Sequence, residues 1–216
     1  MVKNTIVLSK ILLLAVFLAA SFLPFSNGSA AVIPVTTGFA DVISTTATTS
    51  QVSLSDFAKA VRDGEEMVRG VYVDNVMALR VMQQPSGNNG YVSSVAGIAT
   101  QFRMAETFGT TGLLAHNFAA GSNFSKLKEK DIITIVYGNG TFKKYTVTSV
   151  QEYQALSPNS ATSNFVDLKT DETLTATKLF EKIYKGDPHL VFQTCIAFEK
   201  ELSWGRLFVI AEPLEV

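Results

Sequence analysis

His189-Leu-Val-Phe-Gln-Thr-Cys-Ile-Ala-Phe198 and, a few residues on, Trp204-Gly-Arg-Leu-Phe-Val-Ile-Ala211 decide the fold of this chain. Both runs are apolar, β-branched or aromatic and too short for a surface helix, so each reads as a strand. Glu199 to Ser203 between them is polar, which makes the pair an antiparallel hairpin with a long connection. Centred near Lys200 and Glu201, such a hairpin sets Cys195 opposite or nearly opposite Arg206. Side chains alternate along a strand, so Cys195 shares a face with Gln193 and Ala197, and Arg206 with Phe208 and Ile210. The one cysteine in 216 residues thus lies beside an arginine set in an otherwise apolar strand.

The totals narrow the function classes. The length fits one domain plus a targeting segment. A hydrophobic fraction of 47% supports a substantial core, and a formal net charge of −1 gives no electrostatic case for nucleic acid as a partner. A single cysteine excludes an internal disulfide, and with two histidines it cannot complete the usual four-ligand zinc site. Residues 1–31 have the three parts of a secretory signal: Lys3 and Lys10, the apolar run Ile11 to Phe25, then small residues from Ser26 to Ala31. The apolar run is shorter than the roughly twenty residues of a membrane span. Cleavage after Ala30 or Ala31 is therefore expected, with retention as an N-terminal anchor, and hence membrane association, as the alternative. Either way the domain works outside the cytoplasm. Residues 32–53, rich in Thr, Ser, Ala and Val, read as a spacer, and residues 54–216 as the folded domain.

Within that domain, Ser55-Asp56 starts a short helix running to about Arg69. Val71 to Met82 holds one or two strands, closed by the turn cluster Pro85 to Gly90, and Tyr91 to Thr100 another. Thr110 to Asn117 is a short strand ending at His116. Phe118 to Lys130 is loop plus about one helical turn, with Phe124 and Leu127 facing inward. Asp131 to Tyr137 and Phe142 to Val150 are strands joined by Gly138-Asn139-Gly140, the best hairpin signal in the chain. Ser157 to Asn164 is a loop. Asp171 to Lys185 is an amphipathic helix with Leu179, Phe180 and Ile183 inward, stopped by Gly186 and Pro188. Tyr145 and Tyr153 read as barrel exterior, and His189 as a solvated loop residue. The fold class is mainly β: a closed barrel of about eight strands with two or three short peripheral helices.

His116, Cys195 and Arg206 are the candidate catalytic residues. A thiol is a good nucleophile only as thiolate, which a nearby imidazole and guanidinium favour, and an arginine beside it can hold an acyl oxygen as charge builds. Here the sequence resembles the sortase family of bacterial cysteine transpeptidases. That family carries a histidine at the end of a mid-domain strand, a Thr-Leu-x-Thr-Cys strand end and an arginine on the next strand. His116, then Val191-Phe-Gln-Thr-Cys195, then Arg206 match in order and in local element, with Val191 and Phe192 in place of Thr and Leu.

The resemblance spans about Tyr91 to Pro213. It implies a thioacyl-enzyme formed by Cys195 on a C-terminal sorting signal. His116 then handles the protons and Arg206 steadies the oxyanion. Thr194, Gln193, Ala115 and Asn117 are expected to line the substrate. The partners implied are proteins bearing a sorting signal and an amine nucleophile of the cell wall or of a second protein. No cofactor is expected; calcium serves some sortases, but no clear acidic cluster stands out here. A lone strand cysteine is ordinarily a small core residue. An unpaired thiol outside the cell is an oxidation liability, and that shifts the balance toward function. The alternative from another class is a catalytically inactive secreted β-barrel that binds or serves a surface structure. Transpeptidases that crosslink peptidoglycan carry Ser-His-Gly-Cys, and this chain has Phe192-Gln-Thr-Cys195 instead.

Overall fold

A computed structural model describes residues 52–160 and 162–215. The signal segment 1–31 and nearly all of the spacer lie outside the described residues. Among the described residues, ten strands and three short α-helices follow in chain order: α1 (Leu54–Val61), β1 (Val68–Val73), β2 (Met77–Gln83), β3 (Ile98–Phe102), α2 (Arg103–Glu106), β4 (Thr111–Leu114), β5 (Ile132–Tyr137), β6 (Phe142–Ala155), β7 (Phe165–Asp167), β8 (Thr173–Leu174), α3 (Ala176–Tyr184), β9 (Leu190–Phe198) and β10 (Glu201–Pro213). A 3-10 helix, Ala120–Lys126, lies between β4 and β5. The sheet order is β10-β9-β4-β3-β2-β1-β5-β6-β7-β8, and β10 also pairs with β6. Eight strands therefore close into a mixed barrel, with β7 and β8 added outside the ring. Only β2–β3 and β4–β9 run parallel.

Alternation along the strands separates three cores, the smallest of them Phe57, Ala58, Val61, Tyr72 and Val136 beneath α1. Val71, Leu79, Leu113, Ile133, Ile135, Phe192 and Val209 fill the barrel, with Phe124 and Leu127 closing it as their inward assignment expects. The second core lies on the outer wall of β9, β10 and β6. There Val191, Phe208 and Tyr153 are covered by Phe165 of β7 and by Leu179, Phe180 and Tyr184 of α3.

The local departures have local causes. Helix α1 is capped by Ser53, whose hydroxyl accepts from the Asp56 N–H at 3.1 Å, and it stops at Val61 rather than Arg69. Gly64 takes φ +91°, and Val68 and Arg69 join β1. Phe57 of α1 lies so close over β1 that a Cβ on Gly70 would stand 2.7 Å from its ring, so only glycine admits that packing. Tyr91 to Gly97 is irregular: the buried amide of Gln84 donates to the carbonyls of Asn89 and Tyr91, and strand begins only at Ile98. Helix α3 begins at Ala176, capped by Thr175, because Thr173 and Leu174 pair with β7 instead.

Strand β6 changes face along its length. Ile210 pairs with Ser149 but Ala211 pairs with Val147, so Thr148 is bulged out. Tyr145 consequently lies in the barrel interior, not on the exterior, whereas Tyr153 lies on the outer wall and is covered there.

Candidate active site

Cys195 and Arg206 are direct partners across the β9–β10 ladder, so their side chains rise from the same face. Arg206 is in turn paired with Tyr153 of β6. On the other side β9 meets β4, where Leu114 pairs with Gln193 and the Ala115 N–H donates to the Gln193 carbonyl at 3.2 Å. The observed register stops there, and His116 follows one residue beyond that last ladder bond. One row thus crosses three paired strands, from Tyr153 through Arg206 to Cys195, on the outer wall of the barrel, and β4 itself ends at Leu114, two residues before His116.

The pairing of Cys195 with Arg206 arises in an unexpected way. The connection is tight, with Glu199 and Lys200 at the turn and Glu199 at φ +51°. Glu201 pairs with Phe198, but Gly205 pairs with Ile196. Three residues of β10 therefore oppose one of β9, and the segment read as a long loop is strand with a bulge.

Arg206 is fully buried. Its Nη1 donates to the carbonyls of Ser203 at 2.9 Å and Gly205 at 2.8 Å, and its Nη2 to that of Pro158 at 3.4 Å. The Phe165 ring centroid lies 6.0 Å from its Cζ. Among the described residues no carboxylate forms an ion pair with it, and its Nε–H is buried without an acceptor. A guanidinium held this way is costly to bury unless an anion completes the site.

Cys195 is 7% exposed. Burial pushes its thiol above the ordinary range; the Arg206 charge and a hydrogen bond from the Ser203 hydroxyl oppose that rise, and Glu201 adds to it. The His116 imidazole is held below its ordinary value by burial, opposed by a hydrogen bond with the Val92 backbone. Its ring stacks on Phe118, centroids 4.9 Å apart and planes 14° apart. The backbone behind it is pinned by the 3-10 helix, since the His116 carbonyl accepts from the N–H groups of Ala119 and Gly121, both at 2.9 Å.

The four flanking residues expected to line the substrate differ in burial. Ala115 is packed in the barrel interior. Thr194 is buried, as its place between two outward-facing neighbours requires, and its hydroxyl has no hydrogen-bond partner. Gln193 faces outward but is buried, its Oε1 accepting from the Tyr184 hydroxyl at 2.6 Å. Only Asn117 remains partly exposed, and its Nδ2 donates to the Leu202 carbonyl at 2.9 Å, tying the His116 segment to the β9–β10 hairpin. His189 stands at the other end of β9, half-buried, with ring nitrogens 2.7 Å from the Asp187 carbonyl and 2.8 Å from that of Ile183. Sequence reasoning missed Ser203, Pro158 and Phe165, the groups that hold and cover Arg206, because no local pattern marks a bulge or a loop that folds back. Among the described residues no cluster of three His, Cys, Asp or Glu side chains is placed to hold a metal ion.

Sortases of classes A and C are among the solved structures similar to this chain. Listeria monocytogenes sortase A shares 17% identity at a TM-score of 0.42, over 70% of this chain and 89% of that one. Clostridium perfringens sortase C with the C-terminal cell wall sorting motif shares 12% at 0.46, over 75% and 83%. Actinomyces oris sortase C-1 shares 10% at 0.48, over 77% and 83%. No family model and no curated protein matches the chain. At these identities the likeness concerns the fold alone, and the chemistry is read from the chain's own side chains.

Proposed function

We propose that this chain is a sortase-type cysteine transpeptidase acting on proteins that carry a C-terminal sorting signal at the cell envelope. The observation that carries the reading is the buried guanidinium of Arg206, unpaired with any described carboxylate and directly opposite the sole thiol of the chain. Two anions fit that place in turn: the Cys195 thiolate, and the oxyanion that forms when it attacks. His116 takes the thiol proton, and Cys195 adds to the carbonyl carbon of a threonine–glycine or similar bond. Arg206 Nε–H is the free donor for the oxyanion. Collapse of the tetrahedral intermediate breaks the C–N bond, and His116 returns the proton to the leaving amine. An incoming amine of the cell wall or of a second protein then attacks the thioacyl carbon and gives a proton back through His116, regenerating the thiol. Water in place of the amine yields hydrolysis. The steps use side chains of this chain alone, and calcium or a chelator is expected to leave the rate unchanged.

Peptides copied from proteins of the same genome that end in a short motif, an apolar span and a basic tail test the reading. Cleavage that needs Cys195, and that falls by about a hundredfold or more in Arg206→Ala, supports it. The near-complete burial of Cys195 and its raised pKa favour a second reading, an inactive secreted barrel that only binds. A thiol that ignores a methanethiosulfonate reagent in the folded protein, with no peptide cleaved, selects that reading.

A further inference from the structure

Two consecutive carbonyls of the β10 bulge are taken by side chains from different parts of the chain. That of Ser203 accepts from Arg206 Nη1 at 2.9 Å, and that of Leu202 accepts from Asn117 Nδ2 at 2.9 Å. Asn117 directly follows His116, which lies past the end of β4 at Leu114 and past the Ala115 N–H bond to the Gln193 carbonyl. The His116 carbonyl accepts from the N–H groups of Ala119 and Gly121, and its ring lies on Phe118, which is 62% exposed. Those contacts stay within the loop after β4 and move with it. The Asn117 amide reaches out of that loop, to the segment that sets Arg206 against Cys195.

We propose that Asn117 is a positioning residue for His116, its side-chain amide fastening the histidine loop to the bulge that also holds Arg206. The inference rests on the reading of Cys195 as nucleophile and His116 as its acid–base partner. It gives Asn117 a role other than contact with the peptide, since its amide is engaged within the protein. A catalytic group misplaced by about 1 Å loses on the order of a hundredfold in rate, so one hydrogen bond that fixes a loop acts strongly on catalysis. The same bond contributes little to the stability of the fold.

The test compares full-length wild type with Asn117→Leu, which keeps the shape and removes the donor. Asn117→Ala removes the same donor and decides the matter if the leucine variant fails to fold. With a genome-encoded sorting-signal peptide, kcat is expected to fall about tenfold while KM stays within about twofold. A raised KM at unchanged kcat marks a peptide contact and overturns the inference. So does a lowered melting temperature with kcat of the folded protein unchanged, the mark of a merely structural bond. Alkylation of Cys195 by iodoacetamide needs no peptide: Asn117→Leu is expected to slow it about threefold or more, and to have no further effect when added to His116→Ala. An equal effect in both backgrounds, or none in either, overturns the inference. Alkylation without cleavage of any sorting-signal peptide removes the transpeptidase reading, and the alkylation cycle still decides the role of Asn117. Cleavage by Asn117→Leu at the wild-type kcat does the reverse, and a wild-type thiol inert to the reagent removes both.

Discussion

Burial acts on Cys195 and His116 in opposite directions, and their chemistry follows from that. The thiol is pushed above its ordinary value of 9.0 by burial, with Arg206 and Ser203 opposing, while the imidazole is held below its ordinary 6.5 by burial, with the Val92 backbone opposing. Both groups are therefore neutral in the resting site at neutral pH, and the reactive pair of thiolate and imidazolium is a minor form. Between the two displaced values the thiolate fraction rises with pH as fast as the imidazolium fraction falls, so their product is level. Below the imidazole value the rate drops with the thiolate, and above the thiol value it drops with the imidazolium. The predicted kcat/KM profile is a plateau wider than the interval from 6.5 to 9.0. A narrow optimum inside that interval counts against the assignment. At this scale the sequence leads to the opposition of Cys195 and Arg206 by a different route from the one the chain takes: the hairpin turns at Glu199 and Lys200, and only the β10 bulge, which no local pattern marks, restores the pairing. The burial of Gln193, Thr194 and Ala115 is not legible there, because it depends on what Tyr184 and the barrel interior bring to them from elsewhere in the chain.

Two bulges and one glycine place the elements around the site. The β10 bulge sets Arg206 against Cys195, and the β6 bulge at Thr148 turns Tyr153 to the same outer wall while Tyr145 stays inside. Gly121 lets the 3-10 helix lie against the strand ends: a Cβ there would stand 2.7 Å from the His116 carbonyl oxygen and 2.9 Å from that of Ala115, and would collide with the Thr194 hydroxyl. Gly121→Ala is therefore expected to destabilise the protein by about 1–3 kcal/mol through overpacking. It is also expected to depress peptide cleavage beyond what the stability loss explains, because the displaced carbonyl belongs to His116. Thermal melting and cleavage rates on the same samples check this, and an unchanged melting temperature sinks it. The β5–β6 hairpin is legible because Gly138-Asn139-Gly140 supplies its turn chemistry locally, with Gly140 at φ +90°. Strands β7 and β8 are not: Phe165 to Asp167 and Thr173-Leu174 are too short to show a period and exist only through pairing with β6 and with each other. The same pairing takes the first turn away from the helix expected to start at Asp171.

For the molecule as a whole, closure of the ring by β10–β6 and the parallel contact of β4 with β9 set the mid-chain strand that leads to His116 next to the strand that carries Cys195. Neither contact is local, so only the order of His116, Cys195 and Arg206 and their resemblance to a known pattern point to it in the sequence. Among the described residues no helix is long and apolar enough to cross a membrane. Export with cleavage of the leader predicts a mature chain beginning at Ala31 or Val32, and intact-mass analysis of protein from the native envelope reads this directly. A retained Met1 or Val2 start places the protein at the membrane by its own N-terminal segment instead. The most direct test of the account is intact-mass spectrometry of the protein quenched during turnover of a sorting-signal peptide. The account predicts an added mass equal to the acyl half of the peptide, on Cys195, released by hydroxylamine and missing from Cys195→Ala. An acyl group found on another residue, or cleavage that persists in Cys195→Ala, contradicts it.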